Sequence, residues 1–137
     1  MKTDIDIKDD VYNILIDSYL GSMITGVITK RKREDDSQNE DIVISVLANQ
    51  NGQRQEAFVN VNIYVPDLVN QTRYEEDTIR LRELCREAHH LFECINEKDY
   101  RITLDSQRVF EVDATNEHMI NNKLLYQTIN EDRLCQR

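Results

Sequence analysis

Cys85, His89, His90 and Cys94 fall within one ten-residue stretch, and cysteine and histidine are the side chains from which zinc sites are built. The pairs Cys85/His89 and His90/Cys94 each have the i, i+4 spacing that lets two helical side chains share a metal. At roughly 100° per residue, however, the two pairs point to different sides of a helix. Cys85 falls near the apolar stripe of that segment, and His90 lies opposite it. A zinc ion would need two more ligands from elsewhere, and His118 is the only other histidine. Cys135 stands apart. Three cysteines without metal-type spacing argue for one core thiol and ordinary surface residues, not for a metal centre or a disulfide scaffold.

Other chemistry has less material still. No serine sits in a G-x-S-x-G elbow, and three glycines leave little for a phosphate-cradling loop. Carboxylates are abundant, but no pair is singled out for acid–base work. The six tyrosines are scattered, with no stacking platform. These observations predict a non-enzyme without cofactor or metal, whose function lies in its surfaces.

Two stretches offer such surfaces. In "AFVNVNIYV", residues 57–65, Val59, Val61, Ile63 and Val65 fall on one face of a strand and Asn60, Asn62 and Tyr64 on the other. The first face requires a core. The second carries amides and a tyrosine where a solvated face would carry charge, which suits partial cover by another element or another subunit. The basic run Lys30, Arg31, Lys32, Arg33 is followed at once by Glu34, Asp35 and Asp36, so it is close to self-neutralising. It reads as part of a charged loop over residues 30–41, with complementary-charge docking as its sharper use.

The elements that must position these residues follow from periodicity. Val11, Ile14, Leu15, Ser18 and Tyr19 have helical spacing, with Asp9 or Asp10 as cap and Gly21 as a left-handed stop. "SMITGVITK" reads as a strand. Asn51-Gly52 is the dipeptide of a two-residue hairpin turn, and it sets Ile42 opposite Val61, Ile44 opposite Val59 and Val46 opposite Ala57. On the other side the same register sets Val43 opposite Asn60, Ser45 opposite Phe58 and Leu47 opposite Glu56. Pro66 ends that strand. A long helix is expected to open at Thr72 and Glu75 in capping-box spacing and to lay Leu81, Leu84, Ala88, Leu91, Phe92 and Ile95 against the sheet. "YRITL", a turn at "DSQ", "RVFEV" and "NKLLYQTI" read as closing strands. The result is a single α+β domain over residues 1–137. It has a mostly antiparallel sheet, a long β-hairpin, one short N-terminal helix and one long helix packed across the sheet.

At 137 residues the chain can enclose one core, and 39% hydrophobic with 31% charged residues is a folded composition. Seventeen Lys and Arg against 26 Asp and Glu give a net charge of −9, which excludes nucleic acid as the main partner. No apolar run is long enough to span a bilayer, and "MKTDIDIKDD" lacks the apolar segment of a secretory signal. Synthesis in a reducing cytoplasm is the expectation.

The order of elements carries a resemblance. A helix ("DDVYNILIDSYLG") leads into a strand and charged loop, then a hairpin ending in "AFVNVNIYV", one long helix, and strands closing in "KLLYQTI". This is similar to the tail-completion and tail-terminator proteins of long-tailed bacteriophages, over roughly residues 9–130. The resemblance implies a ring, commonly a hexamer, that joins the tail tube to the head connector and is carried into the virion. Its partners would be further copies of itself and other tail or connector proteins, with no cofactor and no membrane. An interface is then expected at Asn60, Asn62 and Tyr64, and at Lys30, Arg31, Lys32 and Arg33. An acidic inhibitor or immunity-type protein that binds a basic partner is the alternative from a different class.

Overall fold

The computed structural model describes residues 1–50 and 54–128. Among these, the elements run α1 (Asp4–Ile16), α2 (Tyr19–Met23), β1 (Ile28–Thr29), β2 (Ile42–Gln50), β3 (Glu56–Pro66), β4 (Leu68–Asn70), β5 (Arg73–Glu75), α3 (Thr78–Phe92), β6 (Cys94–Asn96), β7 (Tyr100–Val112) and β8 (Glu117–Thr128). The fold is α+β. A curled six-stranded sheet has the order β1-β2-β3-β8-β7-β6, and β4 with β5 forms a small second sheet. Every pairing is antiparallel except that of β1 with β2.

The N-terminal helix begins earlier than its apolar spacing suggests. Thr3 Oγ1 accepts from the Asp6 N–H at 3.1 Å and the Thr3 N–H donates to Asp6 Oδ2 at 2.9 Å, a complete capping box. Asp9 and Asp10, the expected caps, therefore lie inside α1. Ile7, Val11 and Leu15 are its buried face. Gly21 does not stop the helix. It sits within α2, capped by Ser18, and no glycine among the described residues has a positive φ.

The strand expected over "SMITGVITK" shrinks to Ile28–Thr29, because the chain before it is held by the Glu40 backbone and the Asp41 side chain instead of a ladder. The Gly26 N–H donates to the Glu40 carbonyl at 3.0 Å and the Val27 N–H to Asp41 Oδ1 at 2.9 Å. A Cβ on Gly26 would strike the Asp41 carboxylate and come within 2.7 Å of the Glu40 carbonyl oxygen. Close approach, not turn geometry, requires glycine here.

The β2–β3 pair forms with the expected faces and a different register. Ile42 lies opposite Ile63, Ile44 opposite Val61 and Val46 opposite Val59. Each partner is two residues further along β3 than the Asn51-Gly52 turn implied, so parity and faces are unchanged. A bulge at Leu47 then sets Ala48 opposite Phe58 and Gln50 opposite Glu56. Asn51 and Gly52 themselves lie outside the described residues.

The long helix also starts later than Thr72. Residues 68–75 form the β4–β5 hairpin, turned by Gln71 at φ 60°, and Asp77 caps α3 by accepting from the Arg80 N–H at 3.2 Å. Leu81, Leu84, Ala88 and Phe92 are its buried stripe, with Leu91 packed beside them, while Ile95 has passed into β6. Burying each large side chain of this kind contributes roughly 1.5–3 kcal/mol. "DSQ" is not a turn. β7 runs unbroken from Tyr100 to Val112, with a bulge between Leu104 and Ser106.

The buried side chains of α1 and α3 share one core with Val59, Val61, Ile63, Ile120, Leu124 and Tyr126. Both helices thus lie on the same face of the sheet. Among the described residues the opposite face carries none.

Candidate interaction surface

On that uncovered face β3 presents Phe58, Asn60, Asn62 and Tyr64, and β8 sets Leu125, Lys123, Asn121 and Met119 opposite them in turn. All eight are half-buried. At the centre, Asn121 Nδ2 donates to Asn62 Oδ1 at 2.7 Å and to Asn60 Oδ1 at 3.2 Å. At one end the Lys123 ammonium stands 4.5 Å from the Phe58 ring centroid, and at the other the Arg33 guanidinium stands 4.2 Å from that of Tyr64. The three amides are fixed relative to one another by adjacent strands. Among the described residues, the side-chain N–H groups of Asn60 and Asn62 and the Asn121 carbonyl oxygen bond to nothing else in the chain. Such a row can donate and accept toward an incoming surface without first reorganising.

Asn60, Asn62 and Tyr64 are therefore brought together. The basic run is not. Lys30 reaches back to Asp9 at 2.8 Å and over the Tyr12 ring, while Arg31 and Lys32 remain exposed. Arg33 turns inward. Its Nε donates to Asp41 Oδ2 at 2.8 Å, its Nη1 to Glu117 Oε2 at 2.8 Å, and its Nη2 to the Asn39 carbonyl at 2.9 Å. The Arg33 side chain is 16% exposed and both carboxylates are 3% exposed. The 30–41 segment is thus a pinned loop that closes one end of the sheet.

The electrostatics follow from these partners. Burial alone would raise the Asp41 carboxyl, but hydrogen bonds from the Ser37 hydroxyl, the Val27 N–H and Arg33 hold it below its ordinary value. Arg33 is raised, since Glu117 and Asp41 outweigh the desolvation that opposes its charge. A second buried pair ties the start of α3 to the same region. Arg80 meets Glu40 through two nitrogens, at 2.7 and 2.8 Å, and also donates to the Met23 carbonyl at 2.6 Å.

The cysteines and histidines of α3 do not converge. His89, His90 and Cys94 are exposed, and Cys85 is half-buried with its thiol pKa raised by desolvation. His118 engages other groups, with Nδ1 2.6 Å from Asp67 Oδ1 and Nε2 3.5 Å from Glu76 Oε1. It anchors the root of the β4–β5 hairpin to β8. Among the described residues no three His, Cys, Asp or Glu are placed to hold a metal ion. Cys135 lies outside them. A cleft of about 380 Å³ between α1, α2 and β1 is lined by Tyr12, Ile16, Ile24 and Val27, and no charged side chain lines it.

Three participants escaped the sequence. Asn121 lies on the outward face of β8, and alternation with the apolar Ile120 and Leu124 was the signal that could have placed it beside Asn62. Glu117 leaves no such signal, because its ion pair with Arg33 joins distant segments and has no local pattern. Asn122, fully buried, is the third. Its Nδ2 donates to the Val61 carbonyl at 3.1 Å and its Oδ1 accepts from Gln107 at 2.8 Å.

No helix among the described residues is long and apolar enough to cross a membrane. No protein-family model matches the chain, and no curated protein matches it in sequence.

Proposed function

We propose that the chain is a non-catalytic structural subunit that closes into a ring. The ring is of the kind formed by phage tail-completion and tail-terminator proteins, and it joins a tail tube to a head connector. The observation that carries this reading is the helix-free face of the sheet. Its centre is a fixed amide row with unused donors and acceptors, set among half-buried apolar and cation–ring groups. A face built this way favours a protein surface over bulk water. The order helix, strand, hairpin, long helix, closing strands also supports the reading, since it persists once the β4–β5 hairpin is set aside.

A ring requires heterologous contacts, in which one patch of a subunit meets a different patch of the next. The amide row supplies one such patch, and exposed Arg31 and Lys32 border the loop beside it. The test is electron microscopy of the purified chain, alone and with tail tubes that lack their terminal ring. Closed rings of uniform subunit number, seated on tube ends when tubes are present, are expected. Bare tube ends, or a purified chain that forms no rings, would overturn the reading.

A further inference from the structure

Among the described residues several strand edges have no paired strand, and two of them are complementary to each other. β6 pairs only with Arg101–Thr103 of β7, so among the described residues the outward edge of β7 beyond the bulge, Ser106–Val112, has no strand beside it. No backbone hydrogen bond reaches that edge among the described residues. Protected edges carry lysine, proline or inward charge. Here Val109 and Phe110 are exposed on it, with Arg108 and Glu111 on either side. The second edge belongs to β5. It pairs with β4 alone, in a hairpin of two three-residue strands that exposes Leu68, Val69 and Tyr74. A two-stranded ribbon this short is marginal by itself.

We propose that the β5 edge of one copy adds antiparallel to the β7 edge of a second copy, with Tyr74 opposite Phe110 and Arg73 opposite Glu111. Glu75 then faces Val109, and Glu76, the residue after β5, faces Arg108. One register thus brings together an aromatic pair and two opposite-charge pairs. The parallel alternative, with Tyr74 still opposite Phe110, sets Glu75 opposite Glu111, and like charges directly opposite are destabilising.

The faces agree as well. Within one chain, Phe110, Met119 and Tyr64 form a row across the helix-free face, and the row ends at the β7 edge with Phe110 exposed. In the hairpin, Val69 lies directly opposite Tyr74. Pairing Tyr74 with Phe110 therefore continues the row into Val69 of the next copy. Glu111 supplies a further reason. Its carboxyl is raised above its ordinary value by a hydrogen bond to the Asp113 carboxyl and by the charge beside it, and an arriving Arg73 offsets that crowding of acidic groups.

The contact joins two different patches, so it propagates from copy to copy, and it rests on the ring reading for its closure. The test uses the full chain with Cys85, Cys94 and Cys135 replaced by serine. One preparation carries Tyr74→Cys and a second carries Phe110→Cys. They are mixed under oxidised glutathione, and the disulfide products are resolved. Mixed dimers should accumulate in preference to either homodimer. In that background Arg73→Glu or Glu111→Arg alone should slow the mixed product about fivefold, and the two together should restore it. Phe110→Cys homodimers in excess would mean that β7 edges pair with each other, and a statistical mixture would mean random collision. Either overturns the proposal. In a third preparation that carries both Tyr74→Cys and Phe110→Cys, a cross-linked ladder without closed rings would remove the ring reading and keep this contact, whereas closed rings without the mixed dimer would do the reverse.

Discussion

Arg33 and Glu117 lie 84 positions apart in the chain and meet in an ion pair of 2.8 Å, with Asp41 held at the same distance by the same guanidinium. The triad joins the loop between β1 and β2 to the start of β8, and its cation also covers the Tyr64 ring.

Replacing Arg33 with alanine leaves two buried carboxylates without their cation. Breaking a buried pair in this way costs about 3 kcal/mol or more. Urea denaturation should show that loss, and Arg33→Lys should lie between the two, since an ammonium cannot reproduce the fork. A midpoint for Arg33→Ala equal to that of the parent would mean that the triad holds nothing together.

Asp41 makes the same triad acid-sensitive. Its carboxyl lies below its ordinary 3.8, so the ionised form is favoured by folding. The stabilisation it provides is whole above pH ~4 and is lost as pH falls through the depressed folded value. Thermal midpoints from pH 7 to pH 2 should show parent and Asp41→Asn far apart at neutral pH and converging below pH ~4. A constant gap across that range would contradict this role for Asp41.

A second pH limit lies at the alkaline end. Tyr126 and Tyr100 stack with centroids 5.0 Å apart, and the Tyr126 hydroxyl donates to Asp10 Oδ2 at 2.6 Å. Burial pushes Tyr100 up to about 12 and Tyr126 further still. Raised phenol values mean stability present below the ordinary value of 10 and lost as pH climbs through the folded values. Ultraviolet titration should find both rings resisting ionisation until the fold opens. Tyr126→Phe, which removes a hydrogen bond to a charged acceptor, should cost about 2 kcal/mol at pH 7.

Much of this architecture is legible from alternation and helical spacing, and the misses share a cause. The faces of β2 and β3 follow from parity alone, so a register error of two residues left them intact. That register was set from Asn51-Gly52, which lie outside the described residues. The bulge at Leu47 has no signature in residue type. Thr72 and Glu75 have capping-box spacing, yet Gln71 adopts a positive φ that few residues favour, and the segment became a hairpin. "DSQ" has turn composition, but pairing with β8 on both sides carried the chain through it, with Asp105 bulged out of the ladder. Asn60, Asn62 and Tyr64 were legible as a surface because their types break the rule for a wet sheet face. Arg33 misled, because a basic run predicts exposure only when its carboxylate partners are near in sequence.

The amide row is testable apart from the triad. Asn60→Asp with Asn62→Asp places two charges on the helix-free face without touching the core. Assembly should be lost while the circular dichroism spectrum stays that of the parent. Unchanged assembly would remove this face from the interface.

The most direct measurement is the native mass of the chain, by light scattering on a sizing column across a wide range of protein concentrations. The ring reading gives a discrete higher oligomer, near six subunits, that gains population as concentration rises. A monomer at every concentration would contradict it, and would turn attention to a basic protein partner for this acidic chain.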